Sequence, residues 1–282
     1  MKLGITETSI GKYGADRFKK MAELGFGYAD FQLAQTKDAW YTADEDTLLR
    51  MIAETNNALS DAGVIVHQAH GPWDQSTLQQ STPEERAARM NEMRRSIRIT
   101  AMLGCKNWVI HPNMPFGTHD LDNGRAEETW EYNLSFMREL LPFAKEQGVT
   151  ICLENMPMVR FSISKPAEIL KFVREMGDDN FKICLDTGHV NVFEGLNLGD
   201  AVRLFGNELR AMHVHDNDGR RDSHQFPYFG TAGWEDFGAA LREIGYDGVF
   251  SFETGPSWDM PQPLFDDACR LLVTTAHHIL GA

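Results

Sequence analysis

The chain has 282 residues, 42% of them hydrophobic, with 41 acidic side chains against 27 basic ones and a formal net charge of −14. That is enough to bury a sizeable core in one large α/β domain or two small ones, and the charge opposes the phosphate backbone of DNA or RNA, whose binding needs clustered cations. No run reaches the ~20 apolar residues of a membrane span, and the four cysteines form no CxxC pair.

Met1-Lys2-Leu3-Gly4 leads straight into a strand-like run rather than a signal peptide. The expectation is therefore a protein of the reducing cytoplasm with no membrane and no nucleic-acid partner. Residues 2–6 read as a first strand and 16–24 as a helix closed by Gly25. A second strand (28–33) precedes a long amphipathic helix (44–62) stopped by Gly63, and a third strand (64–70) ends in Gly71-Pro72-Trp73. Thr82-Pro83-Glu84-Glu85 joins a cap residue to a proline at the first helical position and opens a helix to about residue 103. The fourth strand (107–111) is closed by Pro112, and a helix over 125–147 follows. Strand five (149–153) runs into Glu154-Asn155, and a helix spans 165–176. Strand six (181–185) runs into Asp186-Thr187-Gly188-His189, and a short helix covers 198–205. Strand seven (209–214), a helix (234–244), strand eight (248–252) and a helix (263–280) complete the chain.

Eight strand–helix units result, and the strands are near-continuous apolar runs, as parallel strands covered on both faces are. The pattern predicts one (β/α)8 TIM barrel over residues 1–282. A doubly wound open sheet is the alternative, weakened because no glycine-rich phosphate fingerprint follows the first strand.

Barrel enzymes place their chemistry at the C-terminal strand ends. Here those ends carry His70, His111, Glu154, Asp186 with His189, His215 and Glu253. A lone strand-end carboxylate is more often a helix cap, and a lone histidine before proline is more often structural. Ligand-type residues at six consecutive strand ends do not fit that explanation. Neighbouring strands lie ~4.8 Å apart, so Glu154, Asp186, His215 and Glu253 can converge, and three carboxylates with one imidazole suit a divalent cation such as Mn, Mg, Zn or Fe. His213 shares the face of His215 one pleat deeper and is expected to support it. Asp222 and His224 form either a second metal site with His189 or a substrate-facing loop. Trp73 is among the aromatics near the mouth that can stack on the apolar face of a small substrate.

Leu153-Glu154-Asn155, Leu185-Asp186-Thr187-Gly188-His189, His213-Val214-His215-Asp216-Asn217-Asp218 and Ser251-Phe252-Glu253 resemble the xylose isomerase-like barrel superfamily across all eight units. Within it they are similar to sugar or sugar-phosphate isomerases and epimerases of the ketose 3-epimerase and hydroxypyruvate isomerase kind. The resemblance implies that Glu154, Asp186, His215 and Glu253 hold the catalytic metal. It also implies that Glu154 and Glu253 form an acid/base pair on opposite faces of the substrate, and that His189 contacts that substrate. Arg221 stands at the spacing of a further substrate contact, behind a different intervening loop. An oligomer is implied as well.

The same superfamily includes endonuclease IV-type phosphodiesterases with three zinc ions. His70, His111, Asp186 with His189, and Asp222-Ser223-His224 stand in matching places, so these residues bind either a second and third ion or the substrate. An inosose-type dehydratase of cyclic polyols would use the same metal and base, and a non-catalytic sugar- or metal-binding protein is the remaining alternative. The acidic balance weighs against a duplex, and no phosphate cradle is visible. The sequence reading is a metal-dependent isomerase or epimerase of a small, unphosphorylated sugar or sugar acid.

Overall fold

A computed structural model describes residues 2–73 and 82–281. Eight parallel strands line a barrel: β1 (Lys2–Thr6), β2 (Tyr28–Gln32), β3 (Ile65–His70), β4 (Asn107–Ile110), β5 (Thr150–Glu154), β6 (Phe181–Asp186), β7 (Leu209–His213) and β8 (Val249–Phe252). They are hydrogen-bonded in the order 7-6-5-4-3-2-1-8. β1 pairs with both β2 and β8, which excludes the doubly wound sheet. The β7–β8 seam closes just beyond the strand ends, where Val214 N donates to Ser251 O (2.8 Å) and Glu253 N donates to Val214 O (3.1 Å). That closure brings the segments carrying His215 and Glu253 side by side.

The strands are buried along almost their whole length, β4 and β8 completely, because helices cover the outside and side chains fill the inside. The covering helices begin and end where the local chemistry dictates. Asp44 caps α1 (Glu45–Ala62) by accepting from Thr47 N, and Thr82 and Glu85 form a reciprocal capping box on α2 (Pro83–Met102). Among the described residues no helix is long and apolar enough to cross a membrane. All four cysteines are buried and free.

Inside the barrel, Val109, Cys152, Cys184 and Ala211 form their own small cluster. Side chains on one strand face repeat every second residue. The next inward positions above this cluster are therefore His111, Glu154, Asp186 and His213, with His215 one step higher. The apolar plug thus fixes the depth at which the polar groups begin.

Several short elements among the described residues carry no signal in the sequence. Residues Glu7–Asp16 form 3-10 turns, and Ala39–Thr42 make a single helical turn. Thr187–Asn191 form a short helix directly on the end of β6, capped by Asp186, whose side chain accepts from His189 N. All are too short or too glycine-interrupted to carry a helical period.

Candidate active site

Seven of the predicted ligand-type residues line one cavity of ≈ 340 Å³ at the C-terminal mouth of the barrel: His70, His111, Glu154, His189, Asp222, His224 and Glu253. The opposite wall is neutral and built from Thr6, Thr8, Ser9 and Gln32, with Trp73 at the rim. Asp186 and His215 are adjacent to this lining and both 0% exposed.

The donors stand close together. Glu154 Oε2 lies 3.3 Å from both His70 Nε2 and His111 Nε2, and its Oε1 lies 2.9 Å from His213 Nδ1. The same His213 nitrogen is 3.5 Å from Glu253 Oε2. Asp186 Oδ1 serves as the cap acceptor for His189 N (2.7 Å), while its Oδ2 faces His215 Nε2 at 2.9 Å. Asp186 is thus both a helix cap and a member of the candidate donor set. The imidazole of His189 is oriented at both ends, with Nδ1 donating to Asn155 O (2.7 Å) and Nε2 lying 3.1 Å from Asp222 Oδ2. His224 Nε2 reaches the same Asp222 oxygen at 3.3 Å. Its ring stacks on His215 with centroids 3.9 Å apart, and its backbone adopts the left-handed region (φ 45), a strained conformation typical of functional sites.

Electrostatics sets the two glutamates apart. Burial alone would raise Glu154, but the imidazoles of His213 and His111 outweigh it and hold its carboxyl well below the usual range. Glu253 moves the other way, raised by burial and, despite the opposing pull of His213, by the neighbouring charges of Glu154 and Asp186. Burial opposes the charged form of His189 and His224, but the surrounding carboxylates push them up to about 10 and about 9.

The residues fit a divalent cation. Oxygen and imidazole nitrogen donors fall into overlapping groups, His70–His111–Glu154, Asp186–His189–His215 and His215–His224–Glu253, each with ligand atoms within 4.8 Å of one another. His215 Nδ1 is buried without a hydrogen-bond partner among the described residues. A buried imidazole whose one nitrogen is orphaned and whose other faces Asp186 and Asp222 is an environment a metal satisfies. Gly188 makes this possible, because a Cβ there would stand 2.0 Å from His215 Cε1.

Other residues fall to the side. Arg221 is exposed, and the hydrogen bond it makes is from its backbone N to Asp218 Oδ1. Asp216, next to the metal-type histidine in sequence, points away and accepts from Asn217 N, Tyr228 N, Ala232 N and Trp234 Nε1, tying the loop down. Asp30 and Gln68, buried beneath the glutamates, were invisible in the sequence: each sits mid-strand, where nothing distinguishes an inward polar residue from an outward one.

A family profile described as xylose isomerase-like TIM barrel matches residues 18–274. The D-psicose 3-epimerase of Agrobacterium fabrum is 27% identical over 246 residues, covering 83% of this chain and 77% of that protein. An uncharacterized protein of Methanocaldococcus jannaschii is 29% identical over 188 residues, 65% of this chain and 62% of that protein, so the chain spans less than two thirds of that relative's length. Among solved structures, the D-psicose 3-epimerase of Clostridium cellulolyticum H10 with D-tagatose has a TM-score of 0.80 at 21% identity, covering 99% of each chain.

Proposed function

The chain belongs to the xylose isomerase-like TIM barrel family, and we propose that it is a metal-dependent isomerase or epimerase of small, unphosphorylated sugars. The observation that carries this reading is the Glu154–Glu253 pair. The two carboxylates come from β5 and from the end of β8, face the same cavity, and reach one imidazole nitrogen at 2.9 and 3.5 Å. Similarity to D-psicose 3-epimerases supports it.

Inverting a carbon centre needs one group to take a proton from one face and another to return a proton to the opposite face. Two carboxylates facing one cavity would meet that need, where one alone would not. A divalent cation held by Glu154, Asp186, His215 and Glu253 would supply Lewis acidity that stabilises negative charge on a carbonyl–hydroxyl pair. His189, held at both nitrogens, would orient a substrate hydroxyl. Thr6, Thr8, Ser9 and Gln32 offer neutral donors and acceptors for the other hydroxyls, and Trp73 offers an apolar face at the rim. None of the described residues lining the cavity is lysine or arginine, which matches a substrate without phosphate.

A second reading rests on the flanking donor groups. His70 and His111 on Glu154, and His189 and His224 on Asp222, would hold the further ions of a phosphodiesterase of the endonuclease IV type. One experiment separates the readings: Mn-loaded protein is offered D-psicose, D-tagatose, a cyclic polyol ketone and abasic-site DNA in parallel. Interconversion of ketoses is the expected result. Loss of water from the polyol, or strand incision without sugar turnover, would replace the proposal with the dehydratase or the phosphodiesterase.

A further inference from the structure

Beneath the two glutamates lies a buried polar chain that no part of the proposed chemistry uses. Asp30, on β2, is 0% exposed, as are Gln68 on β3 and His213 on β7. Asp30 Oδ2 stands 2.9 Å from His213 Nε2 and accepts from Gln68 Nε2 at 3.0 Å. Gln68 Nε2 also donates to Met212 O at 3.1 Å, which ties the chain to the backbone beside His213. The other His213 nitrogen faces Glu154 and Glu253, and its ring lies parallel to that of His70, with centroids 5.4 Å apart.

A carboxylate fully removed from water is expensive unless its partners are well placed, and an apolar residue would fill this layer of the barrel more cheaply. The β2–β3 register shifts between Ala29 and Asp30, and such irregularities re-aim a side chain. His213 meets the two glutamates on one side, the His70 ring on its face and, on the side away from the cavity, Asp30, whose contact is one of charge without hydrogen-bond alignment.

We propose that Asp30, backed by Gln68, is a positioning residue: it fixes the imidazole of His213 and through it the places of the Glu154 and Glu253 carboxylates. This rests on the reading of those glutamates as metal- and substrate-facing groups. Outer partners of a metal site typically change affinity by about 10–100-fold when removed, and Asp30 acts through one intervening ring.

The test compares Asp30→Ala and Asp30→Asn with the native protein by calorimetric titration of the metal-free protein with Mn²⁺, by thermal unfolding, and by kcat and KM on whichever sugar the native protein turns over. Asp30→Ala is expected to weaken Mn²⁺ binding about tenfold and to lower kcat more than it raises KM. Asp30→Asn, which keeps the shape and one acceptor oxygen, is expected to restore most of the affinity. Should Asp30→Ala not fold, Asp30→Asn is read against Gln68→Ala, and each is expected to weaken Mn²⁺ binding by about threefold. Mn²⁺ affinity and kcat within twofold of native in the folded variants, with only the unfolding temperature lowered, would overturn the inference and leave Asp30 a core residue. Mn²⁺ titration does not depend on which substrate is used, so a failure of the sugar reading leaves this outcome distinguishable.

Discussion

Glu7 gives the most quantitative expectation. It follows directly on β1, is 6% exposed, and accepts one hydrogen bond, from Gln32 N at 3.1 Å. Burial first, then the nearby Asp30 carboxylate, push its pKa up to about 8, against the opposing pull of the Gln32 N–H and then of Arg17. The unfolded chain releases this proton near pH 4.5, whereas the folded chain keeps it until about pH 8. Between those values the folded state binds more protons than the unfolded one, so stability falls as pH rises, by about 1.4 kcal/mol per unit. At pH 7 the accumulated penalty is about 3 kcal/mol. Glu7→Gln keeps an oxygen to accept from Gln32 N and has no proton to lose. Relative to the native protein, the variant should gain little near pH 4.5 and about 3 kcal/mol at pH 7. With a slope of about 3 kcal/mol/M, that is a gain of about 1 M in the urea midpoint. Parallel urea melts from pH 4.5 to 8 measure it, and taking the difference between the two proteins cancels the other titrating groups. A midpoint gap that stays constant across this range would refute the reasoning.

The remaining expectations concern the site and its support. Gly188→Ala places a methyl group against the His215 ring and should weaken Mn²⁺ binding by about tenfold or more in calorimetry while circular dichroism stays native. Asp216→Ala orphans four donors and should cost about 3 kcal/mol or more, seen as a drop of about 10 °C in unfolding temperature. Glu154→Gln and Glu253→Gln should each lower kcat about 10²–10⁴-fold. Retained turnover in both would remove the acid/base assignment.

The barrel was legible because parallel strands covered on both faces become unbroken apolar runs, and because Gly25, Gly63 and the Thr82–Glu85 box mark helix ends by chemistry that needs no tertiary context. The strand-end set was legible for a related reason, since a ligand-type side chain closing an apolar run is conspicuous. His213 was placed at its depth by parity alone, and the structure has it supporting both glutamates. Asp30 was not legible, because its role depends on a register shift and on partners from β3 and β7 that sequence spacing does not bring together. Asp216 and His215 are adjacent in sequence and opposite in direction. Which of them faces the site follows from strand alternation, but that Asp216 is the anchor of the whole following loop follows only from its partners 12–18 residues later.

Proton exchange tests the central claim most directly. Mn-loaded protein is incubated with D-psicose in D₂O and the sugars are followed by NMR. If Glu154 and Glu253 remove and return a proton at the carbon beside the carbonyl, the epimer formed should carry deuterium there, because the returning group exchanges with solvent through the open cavity. Epimer formation with no deuterium at that carbon, or no turnover of any ketose by the metal-loaded protein, would contradict it.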